Sequence, residues 1–416
     1  MAEASGREGA SALPWGLVAG LAGLNVLGYV DRQLVVALAP LLITDLGLSR
    51  ADVGLLVGFS FVAVFAVGVL LAGALADRWS RPRLMACGLV AWSAATGLTG
   101  AARGFSSLAA WRALVGVGES SLPASALSIL GDRVPPARVG LASGVFYAGI
   151  PVGFAASFAL AGWVGPWLGW RACFLILGVL GLLAAGLVLR IADPPRRGAA
   201  SRPTGFGLGS TARAVAGAFA ARPSLPLLIL GATLLVWASA SSQHTITWLV
   251  QERGFAYRRA ALLSAVTTLT AGLAGNLGIG AVTDRARRRG PGGRLVALAA
   301  LGAAGLAATT LFYHLSPSSA WFLPAWLLAQ VWLLGWYGPA VAAMDEMAPP
   351  GRRATVIAVG LLALNLVGVG GGPWVTGLVG DRTSLTAALT WSLAPAALGA
   401  ALLGAVGLAT TRRSSA

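Results

Sequence analysis

The chain has 416 residues, 57% of them hydrophobic and 11% charged, where a soluble domain carries about 25% charged residues. All 30 basic residues are arginine, so the chain has neither the lysine of a Walker A phosphate loop nor one for a Schiff base, which excludes an ATP-driven pump in its own right. The formal net charge of +16 falls mostly on short segments between apolar runs. It reads as a topology signal and a contact for anionic lipid, with no nucleic acid partner.

Apolar runs of about 20 residues recur along the whole length, the pattern of an all-α membrane protein. The first, "LPWGLVAGLAGLNVLGYV", follows a short tail with Glu3, Arg7 and Glu8. It lacks a basic n-region and a small-residue cleavage site, so a retained helix is expected rather than a signal peptide. Twelve spans are predicted, the first six near 15–40, 52–76, 83–103, 107–131, 138–163 and 168–190. The second six lie near 225–250, 259–282, 294–314, 320–345, 354–380 and 386–409. The chain is therefore expected to divide into an N-terminal six-helix bundle (1–192), a cytoplasmic linker (193–224) and a C-terminal six-helix bundle (225–416). The linker is rich in Pro, Gly, Ser and Arg, and its "STARAVAGAFAAR" suits a short amphipathic surface helix.

Arginine counts set the orientation. With a cytoplasmic N-terminus, 21 arginines fall on cytoplasmic segments, 7 on external ones and 2 within the membrane. Both termini are then inside, as in a multi-pass protein of a cell membrane, expected to be a bacterial inner membrane. The external "QERGFAYRR", with Arg253, Arg258 and Arg259, runs against the bias.

The first span holds Asp31 and Arg32 in "LNVLGYVDRQL", and Arg32 shares a helical face with Asn25 and Tyr29. The fourth holds Arg112 and Glu119 in "RALVGVGES". A step of seven returns to nearly the same face about 10 Å along, so these two point the same way. An unpaired charge at mid-membrane costs at least ~2.5–3.5 kcal/mol, so such residues face a cavity or a partner. A carboxylate there is pushed toward its protonated form by burial and toward its charged form by a nearby arginine, which suits loading and release of protons. Glu119, Asp31 and Arg112 are the expected proton-coupling group, and Arg32 is expected to point toward substrate or a carboxylate. The plainer reading is a packed ion pair that locks helices together. Gly149, Pro151 and Gly153 in "GVFYAGIPVG" allow close packing and a bend in the fifth span, where Tyr147 is a candidate cavity residue.

The second half has no mid-membrane charge. It offers Gln243, His244 and Trp248 in the seventh span, Gln330, Trp336 and Tyr337 in the tenth and Asn365 in the eleventh as cavity walls. His244 is a candidate proton carrier, although a lone histidine is more often structural. Two histidines make no metal cluster, and no cofactor is implied. Cys87 and Cys173 read as small core residues without a disulfide.

The halves echo each other. "GALADRWSRPR" follows the second span and "GAVTDRARRRG" the eighth; "GDRVPPAR" closes the fourth and "MDEMAPPGRR" the tenth. Their nearly equal offsets argue for a 6+6 parallel repeat. Asp77 is expected at the inner end of the second helix, facing a helix N-terminus whose partial positive charge it would favour. Arg78 or Arg81 is expected to reach Asp132, and Arg285 or Arg288, near Asp284, to reach Asp345 or Glu346. These groups would form a cytoplasmic gate.

At these residues the chain resembles the major facilitator superfamily. "GALADRWSRPR" is similar to its signature loop, with Ser80 for the second glycine and Pro82 at the last basic position. "RALVG" matches the fourth-helix R-x-x-x-G motif, and "GVFYAGIPVG" a relaxed fifth-helix antiporter motif. "YVDRQ", "ARGFSSLAAWRALVGVGESS" and "FYAGIPVG" resemble the Spinster branch, which includes exporters of sphingosine phosphate and lysophospholipids. The resemblance implies twelve transmembrane helices in two bundles, rocking as a monomer around a central site. It implies proton-coupled transport of an amphipathic, lipid-like molecule. A multidrug or small-metabolite antiporter of the same fold is the alternative, and a non-transporting receptor is the rival of another class. An intramembrane hydrolase lacks its serine–histidine, metal or aspartate-pair constellation.

Overall fold

A computed structural model describes residues 13–195, 208–290 and 292–415. The tail with Glu3, Arg7 and Glu8 and the 196–207 part of the linker lie outside the described residues. The first four helices are α1 (Trp15–Leu46), α2 (Arg50–Ala76), α3 (Arg81–Thr99) and α4 (Phe105–Arg133). Helices α5 (139–168) and α6 (170–188) run on without a loop. The second set is α7 (Ser224–Gln251), α8 (Tyr257–Arg287), α9 (Gly293–His314), α10 (Phe322–Met347), α11 (Thr355–Arg382) and α12 (Leu385–Arg412). All but α3 and the paired α5 and α6 register singly as long apolar spans. Helix α3 opens on Arg81-Pro82-Arg83, which lowers its hydropathy without shortening it.

Twelve traverses put the linker on one end of the bundle, here the base, and the α1–α2, α5–α6, α7–α8 and α11–α12 turns on the other, the roof. Local chemistry explains the turns. Gly169 has φ 79°, a left-handed conformation that costs glycine little, and it folds α5 back into α6. Gly47, also left-handed, ends α1, after which Ser49 and Asp52 form a reciprocal capping box that starts α2. Pro82 sits in the first turn of α3, where its missing N–H costs no bond, so this departure from the signature pattern leaves the helix intact.

Several helices break inside the membrane. The first stretch of α4 ends at Glu119, one turn before Pro123, which has no N–H to give to the Glu119 carbonyl. Helix α7 passes through a 3-10 turn at Ser242–His244. Helix α11 is a π-helix over Leu364–Gly371. The predicted surface helix exists as Leu208–Ala221, and Ala218 is buried in a small apolar cluster with Leu225, Ala348 and Val356. Cys173 is buried, but Cys87 is exposed, which corrects its reading as a core residue; both are free thiols.

The roof arginines that broke the charge bias are absorbed by aromatic rings. Arg253 lies 4.7 Å from the Trp248 ring centre and donates to the Tyr313 carbonyl. Arg258 lies 5.1 Å from the Trp163 ring and Arg259 5.5 Å from that of Phe255. Such contacts contribute about 0.5–1 kcal/mol at exposed sites.

Candidate functional site: a crossed ion-pair cluster in the first half

Helices α1 and α4 meet through two ion pairs, and the pairs are crossed. Arg32 Nε donates to Glu119 Oε2 at 2.5 Å, and Arg112 Nη1 to Asp31 Oδ1 at 3.2 Å. The Thr96 hydroxyl of α3 donates to the other Asp31 oxygen. Arg112 and Glu119 do share a face, but they are not each other's partners. Each reaches across to α1 instead, where adjacent Asp31 and Arg32 diverge and so meet α4 at different heights.

The two pairs differ in access. Asp31, Arg112 and Glu119 are each 1% exposed, whereas the Arg32 side chain is 22% exposed. The Arg32 guanidinium also lies 4.7, 5.1 and 4.3 Å from the ring centres of Tyr29, Phe61 and Phe65. Glu119 Oε1 is buried with no hydrogen-bond partner. Asp31–Arg112 is therefore an interior strut and Arg32–Glu119 the wall of an accessible cleft.

Tyr147 of α5 and Tyr337 of α10 are exposed although they lie well inside their helices. Tyr337 lies beside Asn365 and near Tyr29 and Tyr147. Arg32, Tyr29, Tyr147, Tyr337 and Asn365 thus line one cleft between the halves. Gln243 is half-buried in the 3-10 turn, and half-buried Gln330 donates to Thr268 at 3.4 Å.

Four other expectations need correction. Asn25 is buried and donates to the Phe146 carbonyl at 2.7 Å, so it ties α1 to α5 instead of facing the cleft. Trp248 is fully buried among Phe312, Tyr313 and Phe322 at the roof, its indole N–H on Thr386 at 2.8 Å. His244 is buried, with Nε2 2.8 Å from the Pro373 carbonyl and Nδ1 unpartnered. Trp336 is likewise buried, its N–H on Ser239.

The roof joins the halves tightly. Asp381 of α11 accepts the backbone N–H groups of Arg50 and Ala51 at 2.9 and 3.0 Å, which caps α2 from the opposite half. The Arg50 guanidinium reaches the Gly380 carbonyl at 2.6 Å, Gln251 at 3.1 Å and Glu252 at 3.8 Å. Gly58 packs so closely on α11 that a Cβ there would stand 2.5 Å from the Gly370 carbonyl oxygen. Tyr257 of α8 donates to the Ala37 carbonyl of α1 at 2.9 Å.

At the base the two ion-pair clusters lie each within one half. Arg81, wholly buried, binds Asp132, Asp193 at 2.8 Å, Ser128 and the Pro194 carbonyl. In the same place in the second half Arg294 binds Asp284 at 2.9 Å and Glu346 at 3.0 Å, and Arg287 joins Glu346 at 2.9 Å. The Arg81–Asp132 contact is the one the sequence suggested, but Glu346 pairs with Arg294 and Arg287 in place of Arg285 or Arg288. Arg78 and Asp77 are exposed, and neither side chain has a described partner. Asp345 has none either, and Arg294 with Arg287, not Arg285 or Arg288, meets the acidic pair through Glu346. Asp193 and Arg294 were missed; "RIADPP" and "GGRLVA" carry them at the membrane edge, where a charge next to a helix end was the available signal. Among the described residues, the polar contacts that join the halves thus lie at the roof, while each base cluster stays within its own half.

A sequence profile described as the Major Facilitator Superfamily matches residues 21–373. An "MFS-type efflux pump" of Mycolicibacterium smegmatis is 30% identical over 397 residues, covering 94% of this chain and 88% of that protein. Human "Protein spinster homolog 1" is 28% identical, covering 88% of this chain and 73% of that protein. A crystal structure of a bacterial homologue of the human lysosomal transporter Spinster, inward-facing and unoccupied, has the same fold. It superposes with a TM-score of 0.83 at 21% identity, over 96% of this chain and 98% of that one.

Proposed function

The chain belongs to the major facilitator superfamily, in its Spinster-like branch, and on that premise we propose a proton-coupled secondary transporter that moves an amphipathic, lipid-like molecule by alternating access. Residues 1–192 and 225–416 act as the two rocking bundles, joined by the 193–224 linker. The base faces the cytoplasm, where most of the arginines lie, and Asp77, Arg81, Asp132, Asp284 and Glu346 belong to its gate.

The observation that carries this reading is the state of Glu119. One of its oxygens holds Arg32, the other is buried without a partner, and Arg32 itself reaches the cleft. A proton taken up on the free oxygen neutralises Glu119 and releases Arg32 from it. The freed guanidinium, set among Tyr29, Phe61 and Phe65, is then available to a substrate headgroup. Loss of the proton reclaims Arg32. Proton and substrate occupancy are coupled because both act on one guanidinium, which supplies the differential affinity that coupling requires. Asp31 and Arg112 hold the α1–α4 geometry around this exchange. The exposed phenol edges and apolar walls between the halves suit a molecule with an apolar body. A second reading, export of a small amphipathic drug or metabolite, is favoured by the near full-length match to the mycobacterial protein named as an efflux pump.

The test is uptake of labelled lysophospholipid into proteoliposomes with and without a pH gradient, for the parent and Glu119→Gln. The variant fixes the neutral state. It should bind substrate with reduced pH dependence and lose gradient-driven accumulation. Full accumulation by the variant removes Glu119 from coupling.

A further inference from the structure

We propose that the roof carries a site for the phosphate headgroup of an anionic phospholipid, at the seam where α5 of the first half meets α8 of the second. The site is built from Arg258, Arg259 and the exposed indoles of Trp163 and Trp167.

Depth is the first argument. Trp163 and Trp167 are 58% and 75% exposed, and Trp321 and Trp391, at the roof starts of α10 and α12, are 71% and 73% exposed. Exposed tryptophans gathered toward one end of a helical bundle mark the headgroup zone of a bilayer, where an indole has an apolar body and a wet N–H. Arg258, over the Trp163 ring, sits at that level.

Charge is the second. Arg258 and Arg259 are exposed, stand in the first turn of α8 with no acidic residue in that turn, and form no ion pair with any described carboxylate. Two other roof arginines do have a carboxylate: Arg171 has Asp45 at 2.6 Å, and the Arg50 guanidinium has Glu252 at 3.8 Å. Two unpaired cations at the positive end of a helix dipole are unfavourable unless an anion sits beside them. A lipid phosphate at headgroup depth supplies one.

Shape is the third. Below Arg258, Leu262 and Val266 follow at helical spacing, and Val266 is 60% exposed, so an acyl chain has an apolar track under the headgroup. Gly162 of α5 packs on Ala261 and Leu262, where a Cβ would meet Ala261 at 3.0 Å, so the track runs along the seam between the halves. The guanidinium belongs to one half and the indole beneath it to the other. A headgroup bound there clips the roof shut and favours the conformation described above.

The test is native mass spectrometry of the full chain with phosphatidylglycerol or phosphatidylcholine, with inorganic phosphate as competitor. The parent should retain phosphatidylglycerol over phosphatidylcholine. Arg258→Gln should weaken that retention about fivefold, the effect of one interfacial cation, while Arg289→Gln at the base should leave the roof site unchanged. Millimolar phosphate should not displace the lipid. Equal retention by Arg258→Gln and the parent overturns the site. Displacement by phosphate identifies a free-anion site and overturns the lipid. Because lipid retention is read directly, the result stands whether or not Glu119 couples protons.

Discussion

Neutralising Arg112 separates the crossed pairing from the simpler same-helix one. Asp31 and Arg112 are each 1% exposed, and among the described residues Asp31 has Arg112 and the Thr96 hydroxyl as its side-chain partners. Arg112→Gln leaves that carboxylate with one neutral donor. Removing one partner of a buried ion pair costs about 3–5 kcal/mol, and Thr96 places this case near the lower end. Asp31→Asn in the same chain removes the stranded charge and should recover about 2–3 kcal/mol, the upper range of coupling for residues in contact. Glu119→Gln in the Arg112→Gln background should recover less than half of that, because Glu119 is held by Arg32. Arg32→Gln should cost less than Arg112→Gln, since Arg32 is partly hydrated and Glu119 can answer by taking up a proton. The assay is denaturant unfolding in detergent, followed by tryptophan fluorescence, for the four corners of each cycle. Stronger coupling of Arg112 to Glu119 than to Asp31 refutes the crossed arrangement and with it the strut assigned to Asp31.

Two further outcomes test how the halves meet. Asp381→Ala removes the acceptor for two N–H groups of α2, a cap of about 1 kcal/mol, and should loosen the roof: a cysteine at Tyr147, with Cys87 replaced, should become accessible to an impermeant thiol reagent from the roof side. Unchanged sidedness removes Asp381 from roof closure. Gly58→Val should destabilise the protein by roughly 1–3 kcal/mol through overpacking, since its side chain would meet the Gly370 carbonyl, whereas Gly73→Val has open space; equal unfolding curves for the two variants would contradict the close α2–α11 contact.

Much of the fold is legible in sequence because hydropathy sets where helices lie in a bilayer. The twelve traverses and the paired base motifs follow from local composition, whereas the reversal at Gly169 falls inside the run expected for the sixth span. The intramembrane charges stand out for the same reason. What periodicity on one helix lacks is the identity of the neighbour. Arg112 and Glu119 align on α4, but partners are set by which helix lies opposite, and an arginine is long enough to choose between two. Trp248 shows the same limit from another side. Its place in an apolar span suited a cavity wall, yet the 3-10 turn at Ser242–His244 shifts the register of α7 and sends the indole into the roof. Arg294 was passed over because glycine and apolar residues surround it, and only the α8 and α10 ends that converge on it reveal its role.

The π-helical run in α11 bears on how this protein tolerates insertions and deletions. A π segment holds more residues per turn than an α-helix and is found mostly at functional sites. Here it includes Asn365 and leads up to the Asp381 contact at the roof. Removing one residue between Val367 and Gly371 would let α geometry return while the turns on either side keep close to their present faces, because the wider winding is what takes up the extra residue. Asn365 and Asp381 would then stay on their present sides of the helix. The glycine-rich run is thus a place where α11 can absorb a one-residue change in length without turning its two ends far against each other.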